Sequence, residues 1–205
     1  MPVFFLCFIV FIIWLHVKTK QENANKPTWD RAFWEKERQS NFARKQNIDD
    51  LDYIRPDASR LPFSETANGY EKEYQEQVRE MLSKKMLNLS GLSNADVKLN
   101  YGAANFQVLS GYDQTFSVFL RNLNIWARYL HTQMTGEDDR AAQILEYAVS
   151  LGSDIMETYV MLAQIYLQRD QIEKVQHLIE QVEASDFFMR DSIINHLQQQ
   201  IRNYQ

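Results

Sequence analysis

The side chains able to do chemistry in this chain are few and scattered. Four histidines stand at His16, His131, His177 and His196, with no HxxxH or HExxH spacing between them. One helix face therefore never collects two imidazoles, which is what a zinc site of that kind requires. Cys7 is the single cysteine, which excludes a disulfide framework and any multi-cysteine metal site. Gly102 and Gly111 lie nine residues apart without the Lys-Ser/Thr that completes a phosphate-cradling loop, and Ser110-Gly111 sits in no G-x-S-x-G frame. Glu137, Asp138 and Asp139 form the densest carboxylate group, but a solvated helix start explains it better than a divalent-cation site. The expectation is a protein without catalytic residues, metal or cofactor and with no small-molecule substrate. It should act by binding.

Charge narrows the partner. The 205 residues carry a net charge of −5, unevenly placed. Between Lys18 and Lys45 there are 8 basic and 4 acidic residues, whereas residues 65–205 hold 12 basic and 19 acidic ones. The acidic part has no basic patch interleaved with aromatics, so nucleic acid is an unfavourable partner. The basic part suits anionic lipid headgroups.

That basic stretch follows the run Val3 to Val17, VFFLCFIVFIIWLHV, which has no formal charge. As a helix it covers roughly 22 Å, or about 27 Å with Met1, Pro2 and Lys18. A hydrocarbon core is about 30 Å thick, so the span is short but feasible with thinning or snorkelling. Trp14, Lys18 and Lys20 make the expected interfacial finish. A cleaved signal peptide should have a basic n-region and a small-x-small site, and HVKTKQ offers neither. Residues 1–18 are thus read as an uncleaved single transmembrane helix. The lysines and arginines after it put the C-terminal bulk on the cytoplasmic side.

Residues 19–68 read as a juxtamembrane helix and an extended connector. Pro27 and Thr28 make a helix start ahead of Trp29, Phe33 and Trp34, which share roughly one face. Those rings either rest in the membrane interface or dock on the folded domain. The connector, with Pro56 and Pro62, has no helical period; Leu51, Tyr53, Ile54, Leu61 and Phe63 suggest that part of it wraps against the domain.

Residues 69–205 read as all-helical. With only 6 glycines and 4 prolines in the chain, helices are favoured over a turn-rich β-fold. Tyr70, Tyr74, Val78, Met81, Leu82 and Leu89 predict a helix over 69–88. Ser93 and Asp96 resemble a capping box, so a short helix should follow. Gly102 and Gly111 interrupt the next stretch, leaving a short helix near 103–110 and a second one from Asp113 to about 132. Asp138, Asp154, Asp170 and Asp186 then recur every 16 residues. Read as N-caps, they predict helices of similar length joined by tight turns, with a capping box between Asp154 and Glu157. Phe187, Phe188, Ile193, Ile194, Leu197 and Ile201 belong to a closing helix.

Tyr159-Val-Met-Leu162-Ala163-Gln-Ile-Tyr166, followed by Val175, Ile179 and Val182, resembles the tetratricopeptide repeat. A weaker copy over about 122–155 carries Trp126, Ala141 or Ala142, Leu145 and Ala148, at an offset of 33 or 34. The resemblance covers about residues 122–189. Ser185 and Asp186 stand where the family closes with proline, and Val175 is larger than its usual alanine. The stretch 94–116, and with it the chain as a whole, resembles bacterial membrane-anchored proteins, which implies no activity. The repeat resemblance implies a solenoid of helical hairpins whose first helices line a protein-binding groove. On that alignment Glu157, Val160, Gln164 and Leu167 face the groove, with Arg121 and Arg128 beside them. The expected function is a membrane-anchored adaptor or scaffold for another protein or peptide. The alternative is a self-associating structural subunit of a membrane complex.

Overall fold

The computed structural model describes residues 8, 9, 11–15, 18, 28–67 and 69–204. The described residues of the apolar run, Phe8, Ile9 and Phe11 to Leu15, are helical and exposed, but most of the expected anchor lies outside the described residues. Among the described residues, no helix is long and apolar enough to cross a membrane.

The fold is all-α. Its helices are α1 (Thr28–Asn41), α2 (Gly69–Leu82), α3 (Asn94–Tyr101), α4 (Phe106–Gln133), α5 (Asp138–Ser150), α6 (Met156–Leu167), α7 (Ile172–Glu183) and α8 (Arg190–Tyr204). The isolated bridge Ile54–Met86 is the only β pairing among the described residues.

α4 is the central beam. Phe116, Phe119, Leu120, Leu123, Trp126, Ala127 and Leu130 recur at helical spacing and are all buried. Burying each large side chain stabilises the fold by about 1.5–3 kcal/mol. This outweighs the cost of about 1 kcal/mol for a mid-helix glycine, so α4 runs unbroken through Gly111. The predicted break there is corrected: one 28-residue helix replaces two. Gly102, by contrast, does end a helix. At φ 91° it terminates α3 and passes its N–H to Lys98 O at 2.7 Å.

At the other end of α3 the predicted capping box is present. Ser93 Oγ accepts from the Asp96 N–H and Asp96 Oδ2 accepts from the Ser93 N–H, both at 3.2 Å. α2 stops at Leu82, short of the expected 88, because the following backbone is needed elsewhere. Ile54 N–H donates to Met86 O at 3.0 Å, and Leu89 N–H donates to Asp113 Oδ1 at 2.9 Å.

α4 packs on α2 and α5, α5 on α6, α6 on α7 and α8, and α7 on α8. Two successive hairpins and a closing helix result. The hairpins lie where the aspartate spacing predicts them, but the aspartates do not cap them. α5 begins on Asp138 itself, whose carboxylate meets His131 Nδ1 at 2.7 Å. Asp154 accepts from Ser90 Oγ at 3.2 Å, while Ile155 holds the cap position of α6. Asp170 follows α6 with φ 57° and accepts from the Tyr204 hydroxyl, and Asp186 precedes the first residue of α8, Arg190. Asp154, Asp170 and Asp186 thus lie in the links between helices and Asp138 in a first helical turn, positions that a short polar side chain tolerates as well as it does a cap.

Residues 42–67 are laid along the helical body as a strap. Ala103 N–H donates to Ala43 O and Gln46 N–H to Tyr101 O. Asp57 N–H donates to the Tyr147 hydroxyl at 2.5 Å, Leu61 is buried, and Phe63 stacks on Trp126 at 5.2 Å under the Arg79 guanidinium. Arg140 locks the strap to α2, donating to Pro62 O at 3.0 Å and to the buried carboxylate of Glu71. The sequence pattern of α2 points instead to Tyr70, which is largely exposed.

Candidate interaction site

α6 presents two opposite faces. Tyr159, Leu162 and Tyr166 lie on one, and Glu157, Val160, Gln164 and Leu167 on the other. The first face forms the floor of a cleft of about 610 Å³ walled by α5, α7 and Phe187. Val149, Leu162 and Leu178 supply its aliphatic surface; Glu146, Lys174, His177 and Gln181 stand around its mouth.

The floor is held by a polar network. Tyr159 donates to Ser153 O at 2.7 Å, Ser153 Oγ lies 3.1 Å from Thr158 Oγ1, and Thr158 donates to the buried Asn124 side chain at 3.0 Å. Tyr166 donates to Glu146 Oε1 at 2.7 Å, and Lys174 Nζ sits 4.8 Å above its ring. Burial pushes both phenols above their ordinary value, with Asp154 adding to the effect at Tyr159 and Glu146 at Tyr166. Both stay neutral donors at physiological pH. The Phe187 ring, 6.3 Å from Tyr159 and tilted by 54°, closes one end of the cleft. Beyond it Phe188 is 98% exposed. The hydroxyl hydrogens of both tyrosines are spent inside the fold, so the slot offers apolar surface with charges of both signs at its mouth, a lining suited to a peptide side chain.

The residues expected to line a groove on the other face are only partly available. Arg128 and Glu157 are brought together in an exposed ion pair at 2.8 Å. Arg121 and Gln164 are exposed. Val160 is half-buried, its carbonyl accepting from Gln200 Nε2 at 3.2 Å, and Leu167 is only 6% exposed within the core. α8 packs against α6 here and leaves a shallow hollow of about 410 Å³ beside Gln164, Gln168 and Asn203.

Of the expected membrane-interface residues, Trp14 is exposed with Lys18 Nζ 5.0 Å from its ring. Trp34 is exposed and meets Phe33 edge-on at 5.3 Å. Lys20 and the Trp29 side chain lie outside the described residues. Among the described residues, no group of three or more His, Cys, Asp or Glu is placed to hold a metal ion.

The cleft walls escape a sequence reading because they come from α5, α7 and the residue after Asp186, far apart in the chain. The one available signal was the motif Tyr159-x-x-Leu162-x-x-x-Tyr166, whose rings form the floor. No protein-family model, curated protein or solved structure matches the chain.

Proposed function

We propose that this protein is a membrane-tethered adaptor that holds a peptide segment of another protein in the cleft over α6. The observation that carries the reading is the cleft itself, with a floor of two neutral tyrosines and an aliphatic wall. Its chemistry is recognition, not turnover. The hairpins act as a short tetratricopeptide-like stack, a reading supported by the alternation of α4 to α7 and by the packing of α8 on α6 in the position of a closing helix. The anchor is the run Val3 to Val17, supported by its hydropathy and by the lysines and arginines that follow, which keep the body on the cytoplasmic side.

The test is a photoreactive side chain placed at exposed His177, beside the cleft, or at exposed Gln164, on the opposite face, in the full chain in its native membrane. The expected result is one discrete adduct from position 177 that disappears with Phe187→Ala. An adduct from 164 alone moves the binding site to the groove. No adduct from either position removes the adaptor reading. An adduct with the mass of two copies of this chain supports instead a self-associating subunit, a reading favoured by the exposed Phe188 and Met189.

A further inference from the structure

Among the described residues, α1 has an inner face committed to the body and an outer face whose side chains pair only within the helix. The inner face packs on α3: Lys36 Nζ reaches Asp96 at 2.6 Å, Lys98 Nζ donates to Asn41 at 2.8 Å and lies 3.8 Å from Glu37, and Ser40 is fully buried. Lys36 also holds the Asp96 carboxyl down at about 2, with Ser93 adding to the effect, so this contact stays charged at neutral pH. Helical geometry turns Arg31 and Arg38 well away from that face and Trp34 about a quarter turn from it, with Phe42 continuing the stripe just past the helix end. Trp34 is 57% and Phe42 89% exposed, and both arginines are exposed. Glu35 shares the stripe and is paired with Arg38, one of its two arginines.

We infer that this outer face of α1 lies flat on an anionic bilayer surface and thereby fixes the orientation of the body. Three observations select lipid as the occupant. The stripe combines basic and aromatic side chains, the composition that seats a helix at headgroup level. The basic excess of residues 18–45 contrasts with the acidic excess of residues 65–205, so an anionic surface attracts the α1 end and repels the rest. The apolar run that precedes α1 by about ten residues would deliver it to that surface, and here the inference rests on the anchor proposed above.

The test uses the full chain with Cys7→Ser and one new cysteine carrying an environment-sensitive fluorophore. The protein is reconstituted into vesicles doped with nitroxide lipid, either pure phosphatidylcholine or with about one third phosphatidylserine. A label at Phe42→Cys should be quenched in anionic vesicles. In neutral vesicles, or with Arg31→Glu and Arg38→Glu, quenching should fall at least twofold. A label at Gln181→Cys, on α7, should stay unquenched in both. An unquenched label at position 42 in anionic vesicles overturns the inference, as does quenching that ignores lipid charge and the arginine changes. A label at Ile13→Cys reports the anchor separately. If it is unquenched while position 42 is quenched, the span fails and the surface contact stands.

Discussion

Asp113 sits half-buried where α4 passes the strand-like backbone of residues 86–89, and its carboxyl titrates above the ordinary 3.8. Burial is the main cause; the Leu89 N–H bond opposes it and the charge of Asp154 adds to it. A raised native value means that the folded state takes up the proton before the unfolded chain does. Asp113 therefore penalises folding above its native value, and the penalty fades as the pH falls toward 3.8. Asp113→Asn keeps an oxygen to accept from Leu89 and removes the charge. Thermal melts should show it more stable than the parent at pH 7, with the gap closing by about pH 4; a lower Tm at pH 7 would reject the assignment. At this scale the sequence speaks unevenly. Ser93 and Asp96 announced their cap because both partners lie within one turn. Glu71, Gln75 and Arg140 gave no sign of burial, because Glu71 is neutralised by a residue three helices further along the chain.

The elements are joined at a tight crossing. Gly102, with φ 91°, brings the end of α3 against the strap so closely that an added Cβ would lie 2.5 Å from both Arg44 O and Lys45 Cα. Neither is a flexible side-chain end, and the left-handed backbone adds strain of its own. Gly102→Ala should cost about 2–3 kcal/mol in a urea titration. It should also speed amide exchange at Gln46 and Ala103, whose bonds straddle the crossing. Stability within error of the parent would show that the two backbones approach less closely than this. Gly111 lies inside α4, where an added Cβ would meet nothing within 4 Å. From sequence the two glycines look alike. What separates them is the core above and below Gly111, where Leu109 and Phe116 are both buried and hold the helix continuous.

Across the whole molecule, the strap belongs to the folded body as much as the hairpins do. Removing residues 1–27 takes away none of the contacts described for residues 28–67, and the remaining chain should melt at the parent temperature in detergent-free buffer. Removing residues 1–67 strips Leu61 from the core and Phe63 from Trp126, and should lower Tm by about 10 °C. Equal melting of the two truncations would mean that the strap adds nothing. The all-helical architecture was legible because hydrophobic periodicity reports each helix locally. The route of residues 42–67 was only partly so: apolar side chains hinted at wrapping, but their partners at 86, 126 and 147 depend on the assembled fold.

That route sets an order on synthesis. The segment carrying Ile54, Asp57 and Phe63 leaves the ribosome well before Met86, Trp126 and Tyr147, the residues that receive it. Until α5 has been made, the strap lacks its partner Tyr147 and α2 has no Arg140 to neutralise Glu71. Residues 42–67 are thus laid down on Met86 and Trp126 first and are locked only when residues 140–147 emerge, about eighty residues after the segment that they hold.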